Sequence, residues 1–335
     1  EEVFPGTPQA VMEFPENLPK NRLGLARWVI HEDNPLTARV AVNRYWQMIF
    51  GNGIVATSDD FGNQGDFPSH PELLDWLAVQ FRESGWNLKE LLKLMVTSTT
   101  YRQSSHLNDE LRAKDPGNVW LARGPSYRLP AEMIRDNALA SSGLLVKEIG
   151  GRSVKPYQPK GLWKELATAN VREYVQDTGK NLYRRGLYTI WKRSSPPPSM
   201  VSFDASDKYN CIVERQKTNT PLQALVLMND PQYLEASRIL AENMIKNGGD
   251  KLQNQIRYGF KAMTSRSPDP DELRILERLY KVELADFEAS PVAADSLLNV
   301  GDHARDPTLP KEKVAALSMV ATTLINYDEA VYKRL

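Results

Sequence analysis

The chain has 335 residues, enough for one large domain or two ordinary ones, and its 42 basic and 42 acidic residues cancel. No whole-molecule field therefore draws it to nucleic acid or to an anionic membrane, and no apolar run approaches the roughly 20 residues of a bilayer-crossing helix. The single Cys211, read as an inert half-buried thiol, excludes an internal disulfide, a CxxC pair and a CxxCH haem-attachment site.

Residues 1–20 carry Pro5, Pro8, Pro15 and Pro19 without periodicity and read as an extended lead-in or interdomain linker, as if another segment preceded them. Asn21 is placed to cap a helix bearing Leu23, Leu25, Ala26, Trp28 and Val29. Asn34 and Pro35 open a longer one through Phe50, closed by Gly51, with Arg39, Asn43 and Arg44 as its polar sector. The loop Ile54 to Glu72 is dense in carboxylates and aromatic rings. It ends in Ser69, Pro71 and Glu72, which predict a capping-box start for the helix carrying Leu73, Leu74, Leu77, Ala78 and Phe81. Asn87 with Glu90 opens the next.

A link from Asp115 to Pro130 leads to a helix expected over Ala131 to Lys147, on which Glu132, Arg135 and Asp136 read as a solvated salt-bridging face. Residues 148–162 are a candidate internal boundary, and Glu173 to Gln176 and Gly186 to Trp191 are strand-like. The stretch Tyr183 to Asn247 is the one around which the rest is organised. It holds the triple-proline turn at Pro196 to Pro198, a capping box expected from Thr220 with Gln223, and a second cap at Asp230 before Pro231. Helices follow at Leu252 to Ser265, Pro270 to Phe287 and Lys311 to Asn326, and the polar segment Gly301 to Pro310 is expected to be mobile. The pattern predicts a mainly α, compact multi-helix domain over residues 21–335 with a small minor β element.

Two groups of side chains could carry chemistry. His70 follows Asp59, Asp60 and Asp66 in one loop and stands at a helix start, parts from which a general acid/base or metal site can be built. The plainer reading is a first-turn histidine bonded to Asp59 or Asp60, and no metal is assigned. Arg184, Arg185, Trp191, Lys192 and Arg193, with Arg215 and Asn219 nearby in sequence, mix guanidinium groups with aromatic faces and suit an anionic or carbohydrate ligand. Alternatively these arginines pair with Asp204, Asp207, Glu214 and Asp230 to fix the Pro-rich loop. No HExxH, GxSxG, Walker or GxGxxG pattern is present.

The ordered motifs NRLGLARWVIHEDNPLTARVAVNRYWQMIFGNGIV, DDFGNQGDFPSHPELLDWLAVQF, LLKLMVTSTTYRQSS, LPAEMIRDNALASSGLL, KPYQPKGLW, LYRRGLYTIWKRSSPPPSMVSFDASDKYNC and TNTPLQALVLMNDPQYLEASR resemble the planctomycete-type DUF1553 domain, also called PSD1, from Asn21 to about Ala321. The resemblance implies a periplasmic or secreted setting, as the C-terminal module of an exported multidomain protein behind a DUF1549 domain and often a c-type cytochrome domain. Any haem c would then belong to an upstream domain, with no cofactor on this chain. The implied role is docking or co-catalysis with those partners. The alternatives are an enzyme site for a carbohydrate or anion, using His70, Asp59, Asp60, Arg193 and Arg215, and an adhesion or scaffold domain marked by an exposed aromatic patch.

Overall fold

A computed structural model describes residues 6–165 and 173–334. The chain divides into two units, the first made of Glu1–Tyr127 with Lys333–Leu335 and the second of Arg128–Tyr332. Residues 148–162 fall within the second.

In the first unit local capping chemistry sets the helices. The Asn21 side chain accepts from the N–H groups of Leu23 and Gly24 and starts α1 (Arg22–Val29). Asn34 accepts from Leu36 and Thr37 and starts α2 (Thr37–Phe50), which ends at Gly51 with φ +90°. The capping box expected before α3 (Pro71–Glu83) does not form. His70 occupies the cap position without a side-chain cap bond, and the Ser69 hydroxyl donates to the Ile54 carbonyl instead. Asn87 caps α4 (Leu88–Thr97), and Asn108 caps an unanticipated short helix, α5 (Asp109–Lys114).

The core of this unit joins Val42, Trp46 and Phe50 of α2 to Leu74, Leu77 and Phe81 of α3 and to Leu91 and Met95 of α4. Trp46 and Phe50 stack with centroids 3.9 Å apart. Asn43, expected on the polar sector, is fully buried. Its amide donates to the Val55 carbonyl (3.0 Å) and accepts from the Val55 N–H (2.9 Å), so the apolar face of α2 carries one polar peg that ties down the following loop.

Two-residue strands β1 (Tyr127–Arg128) and β2 (Tyr332–Lys333) pair in the one sheet found among the described residues. The second unit continues with α6 (Ala131–Ser142), which stops at Gly143 rather than Lys147, and α7 (Leu162–Glu165). The strand-like pieces are not strands. Residues 173–178 have no regular structure, and 186–188 form a 3₁₀ turn followed by an isolated bridge between Val154 and Thr189. The triple proline feeds α8 (Pro198–Val201).

Before α9 (Pro221–Asn229) the Thr220 side chain makes no cap bond, and the Gln223 amide, rather than reaching back to the cap, donates to the carbonyls of Ser202 (3.0 Å) and Thr218 (3.1 Å). Asp230 does cap α10 (Pro231–Gly248), accepting from Gln232. The remaining helices are α11 (Leu252–Thr264), α12 (Pro270–Ala289), α13 (Pro291–Leu298), α14 (Lys311–Ile325) and α15 (Asp328–Val331). Asp269 and Glu272 form a complete capping box at α12, and α13 was not anticipated.

Helices α10 and α14 pack together as the centre of this unit. On α14 the apolar residues run almost all round. Ser318 and Thr322 are buried there because their hydroxyls donate to the carbonyls of Val314 and Ser318, one turn back.

Candidate functional site

The His70 loop lies in the first unit. Asp60 turns onto its own backbone, Oδ1 accepting from Gly62 N–H at 2.7 Å, and Thr57 links the Asp60 carbonyl to the Asp66 N–H. His70 is half-buried, its Nδ1 is 2.9 Å from the Ser69 hydroxyl, and its ring meets Trp120 edge to face at 6.1 Å. Among the described residues no hydrogen bond or ion pair joins His70 to Asp59 or Asp60, so the expected histidine–carboxylate contact is replaced by a histidine–serine one. Trp120 is 67 % exposed although its loop is firmly built. The Asp115 carboxylate accepts from the N–H groups of Val119 and Trp120, and Arg123 donates to the carbonyls of Asp115 and Pro116. Phe67 and Trp76 of the same unit are exposed as well.

The arginine-rich stretch lies in the second unit, where Arg215 and Arg184 are held, though not by the expected carboxylates. Arg215 grips Glu132 of α6 bidentately at 2.7 and 3.1 Å. Burial pushes the Glu132 carboxyl up, but the bond from Arg215, a backbone N–H and the charges of Arg215 and Lys208 together outweigh it, and the group sits below its ordinary range. Asp204 is taken by Arg128 (2.5 Å) and by the backbone and hydroxyl of Thr218. Arg184 is buried, donates to the carbonyls of Glu148, Gly150 and Arg152, and stacks 3.8 Å from the Tyr188 ring centroid.

Trp191 donates its indole N–H to the Asp207 carbonyl at 3.1 Å. Arg193, itself exposed, lies over Tyr209 with its carbon 5.9 Å from the centroid, and Arg185 and Asn219 are exposed as well. Cys211, in the same stretch, is exposed rather than half-buried.

The row Glu132, Arg135, Asp136 is not a solvated face. Arg135 is 1 % exposed and donates to the Gln232 side chain and to the carbonyls of Arg184 and Leu182. Burial lifts the Asp136 carboxyl, an effect only partly offset by the N–H of Gly186 at 2.7 Å and by Arg135.

Polar residues of α10 that sequence reasoning passed over hold the unit from inside. The buried Glu235 carboxylate accepts from the hydroxyls of Tyr157 and Tyr183 and the N–H groups of Asp302 and His303. Its shell explains Gly301, which has φ +97° and lies where a Cβ would collide with that carboxylate. Arg238 pairs with Glu242 at 2.9 Å and donates to the His303 carbonyl, while Lys246 holds Asp306 at 2.8 Å. The segment expected to be mobile is therefore pinned along its length. The signal was in the sequence only as four charges on one helix, which read equally well as a wet face.

A family model described as PSD1, protein of unknown function (DUF1553), matches residues 21–280. The chain belongs to the PSD1 (DUF1553) family. No curated protein and no solved structure matches it. Within the PSD1 match lie both the His70 loop and the whole arginine-rich stretch, and no described helix is long and apolar enough to cross a membrane.

Proposed function

We propose that this PSD1 domain works as a docking or co-catalytic module of an exported, periplasmic or secreted multidomain protein, beside the DUF1549 and c-type cytochrome domains that its family resemblance implies. The reading rests on one observation. Arg184 and Arg215, the most strongly placed cations of the central stretch, are held by internal carbonyls and by Glu132, so they serve to fix a surface rather than to act on a substrate. Exposed Trp120, on its firmly tied loop, offers the kind of rigid aromatic anchor that docking uses. Haem chemistry belongs to the neighbouring domain in this scheme.

The test is to compare haem reduction in a parent protein with and without the segment corresponding to residues 21–335, in the presence of candidate polysaccharides. Slower reduction on deletion is expected, and equal rates would remove any active role for the module.

A further inference from the structure

A cavity of about 540 Å³ opens in the second unit between the KPYQPKGLW motif and the chain at Glu173 and Tyr174. That volume falls in the range of small-molecule sites. Trp163 forms the inner wall. It is 8 % exposed, Tyr174 meets it edge to face at 5.0 Å, and the Lys192 ammonium sits 4.7 Å from its ring centroid. The ring is thus already covered and is a wall rather than a stacking platform, so polarity decides what the space accepts.

Among the described lining residues that polarity leans towards donors. Lys160 and Lys164 line the cavity and are exposed, and among the described residues neither ammonium group has a hydrogen-bond or ion-pair partner. Two further N–H donors of the wall residues, Trp163 Nε1 and Gln158 Nε2, are buried and have no acceptor among the described residues. An unmet buried donor is costly, and protein sites commonly leave such groups where an outside acceptor completes them. Against these donors the described lining sets one carboxylate, Glu173.

From this surplus of donors over acceptors we infer that the cavity is a binding site for a small ligand bearing an oxyanion, a carboxylate or sulfate group, with Lys160 and Lys164 as its charge partners. The inference stands independently of the docking reading, since none of these residues takes part in the arginine pairings on which that reading rests.

Isothermal titration of the whole chain at constant ionic strength tests it, with sodium sulfate, glucuronate and neutral glucose as probes. Saturable binding of glucuronate or sulfate is expected, weakened about tenfold or more in the double variant Lys160→Gln/Lys164→Gln, as for loss of two charge-assisted contacts. Binding is expected to be unchanged in Lys281→Gln, an exposed residue of α12 outside the described cavity lining. Tighter binding of glucuronate than of sulfate would identify a sugar-borne anion as the source, and equal binding a free oxyanion. Glucose binding as tightly as glucuronate, no saturation with either anion, or equal affinity in the double variant would overturn the proposal. Both substituted lysines are exposed, so the double variant is expected to fold, and circular dichroism checks that it does.

Discussion

The two units solve the burial problem differently. The first closes an apolar and aromatic core around α2, with the fully buried Asn43 as a polar tie inside it, and its buried charges, Asp115 and Arg123, bond to backbone close by in sequence. The second places Arg135, Glu235, Arg238 and Glu242 inside, each joined to chain far away in sequence: Glu235 alone gathers Tyr157, Tyr183, Asp302 and His303. Apolar packing is non-directional and tolerates volume-conserving change, whereas a buried ionic tie is directional and fails badly when one partner is removed. The second unit should therefore be the more sensitive to single polar substitutions.

The sharpest way to break the comparison is Glu235→Ala, which strips the acceptor from two hydroxyls and two backbone N–H groups. A loss of about 3 kcal/mol or more in unfolding free energy is expected by urea titration, and Glu235→Gln, which keeps one acceptor oxygen, should lose less. Gly301→Ala reaches the same carboxylate from the other side and is expected to cost about 2 kcal/mol, through both its left-handed backbone and the collision. In the first unit, Asn43→Ala should cost about 2 kcal/mol, since it leaves the Val55 N–H unpaired and its carbonyl with only the long bond from the Ser58 hydroxyl.

A pH measurement sharpens the contrast further. Arg266 holds Glu272 bidentately at 2.6 and 2.8 Å and draws its carboxyl from 4.5 to about 2. Because the folded value is the lower one, this stabilisation is complete above pH 4.5 and is lost as the pH falls towards 2. With Arg266 partly open to solvent, about 2 kcal/mol is the expected amplitude. Glu272→Gln should flatten the stability profile in that window. The smallest effect belongs to the exposed Arg39–Asp75 pair of the first unit, where Asp75→Asn should change stability by less than about 1 kcal/mol.

What could be read from sequence was what is settled locally. Asn21, Asn87 and Asp230 cap their helices as their positions predict, because the groups they bond lie within three residues. The boxes at Ser69 with Glu72 and at Thr220 with Gln223 fail for the opposite reason: Ser69 and Gln223 are recruited by the carbonyls of Ile54 and Ser202, which no local pattern announces. The apolar run after Gly186 mimics a strand but turns tightly where Gly186 backs onto Glu132. At the candidate site the need for arginine partners was legible, yet their identity was not, since Arg215 finds Glu132 across 83 residues.

Arg184, Asp204 and Arg215, gathered around the triple proline, are held by internal partners and so form architecture. A double-mutant cycle of Arg215→Met and Glu132→Gln on unfolding free energy tests it most directly. A coupling of about 1 kcal/mol is predicted for this half-exposed bidentate pair. Additive single effects, with no coupling, would mean that Arg215 is free to serve a ligand and would contradict the account.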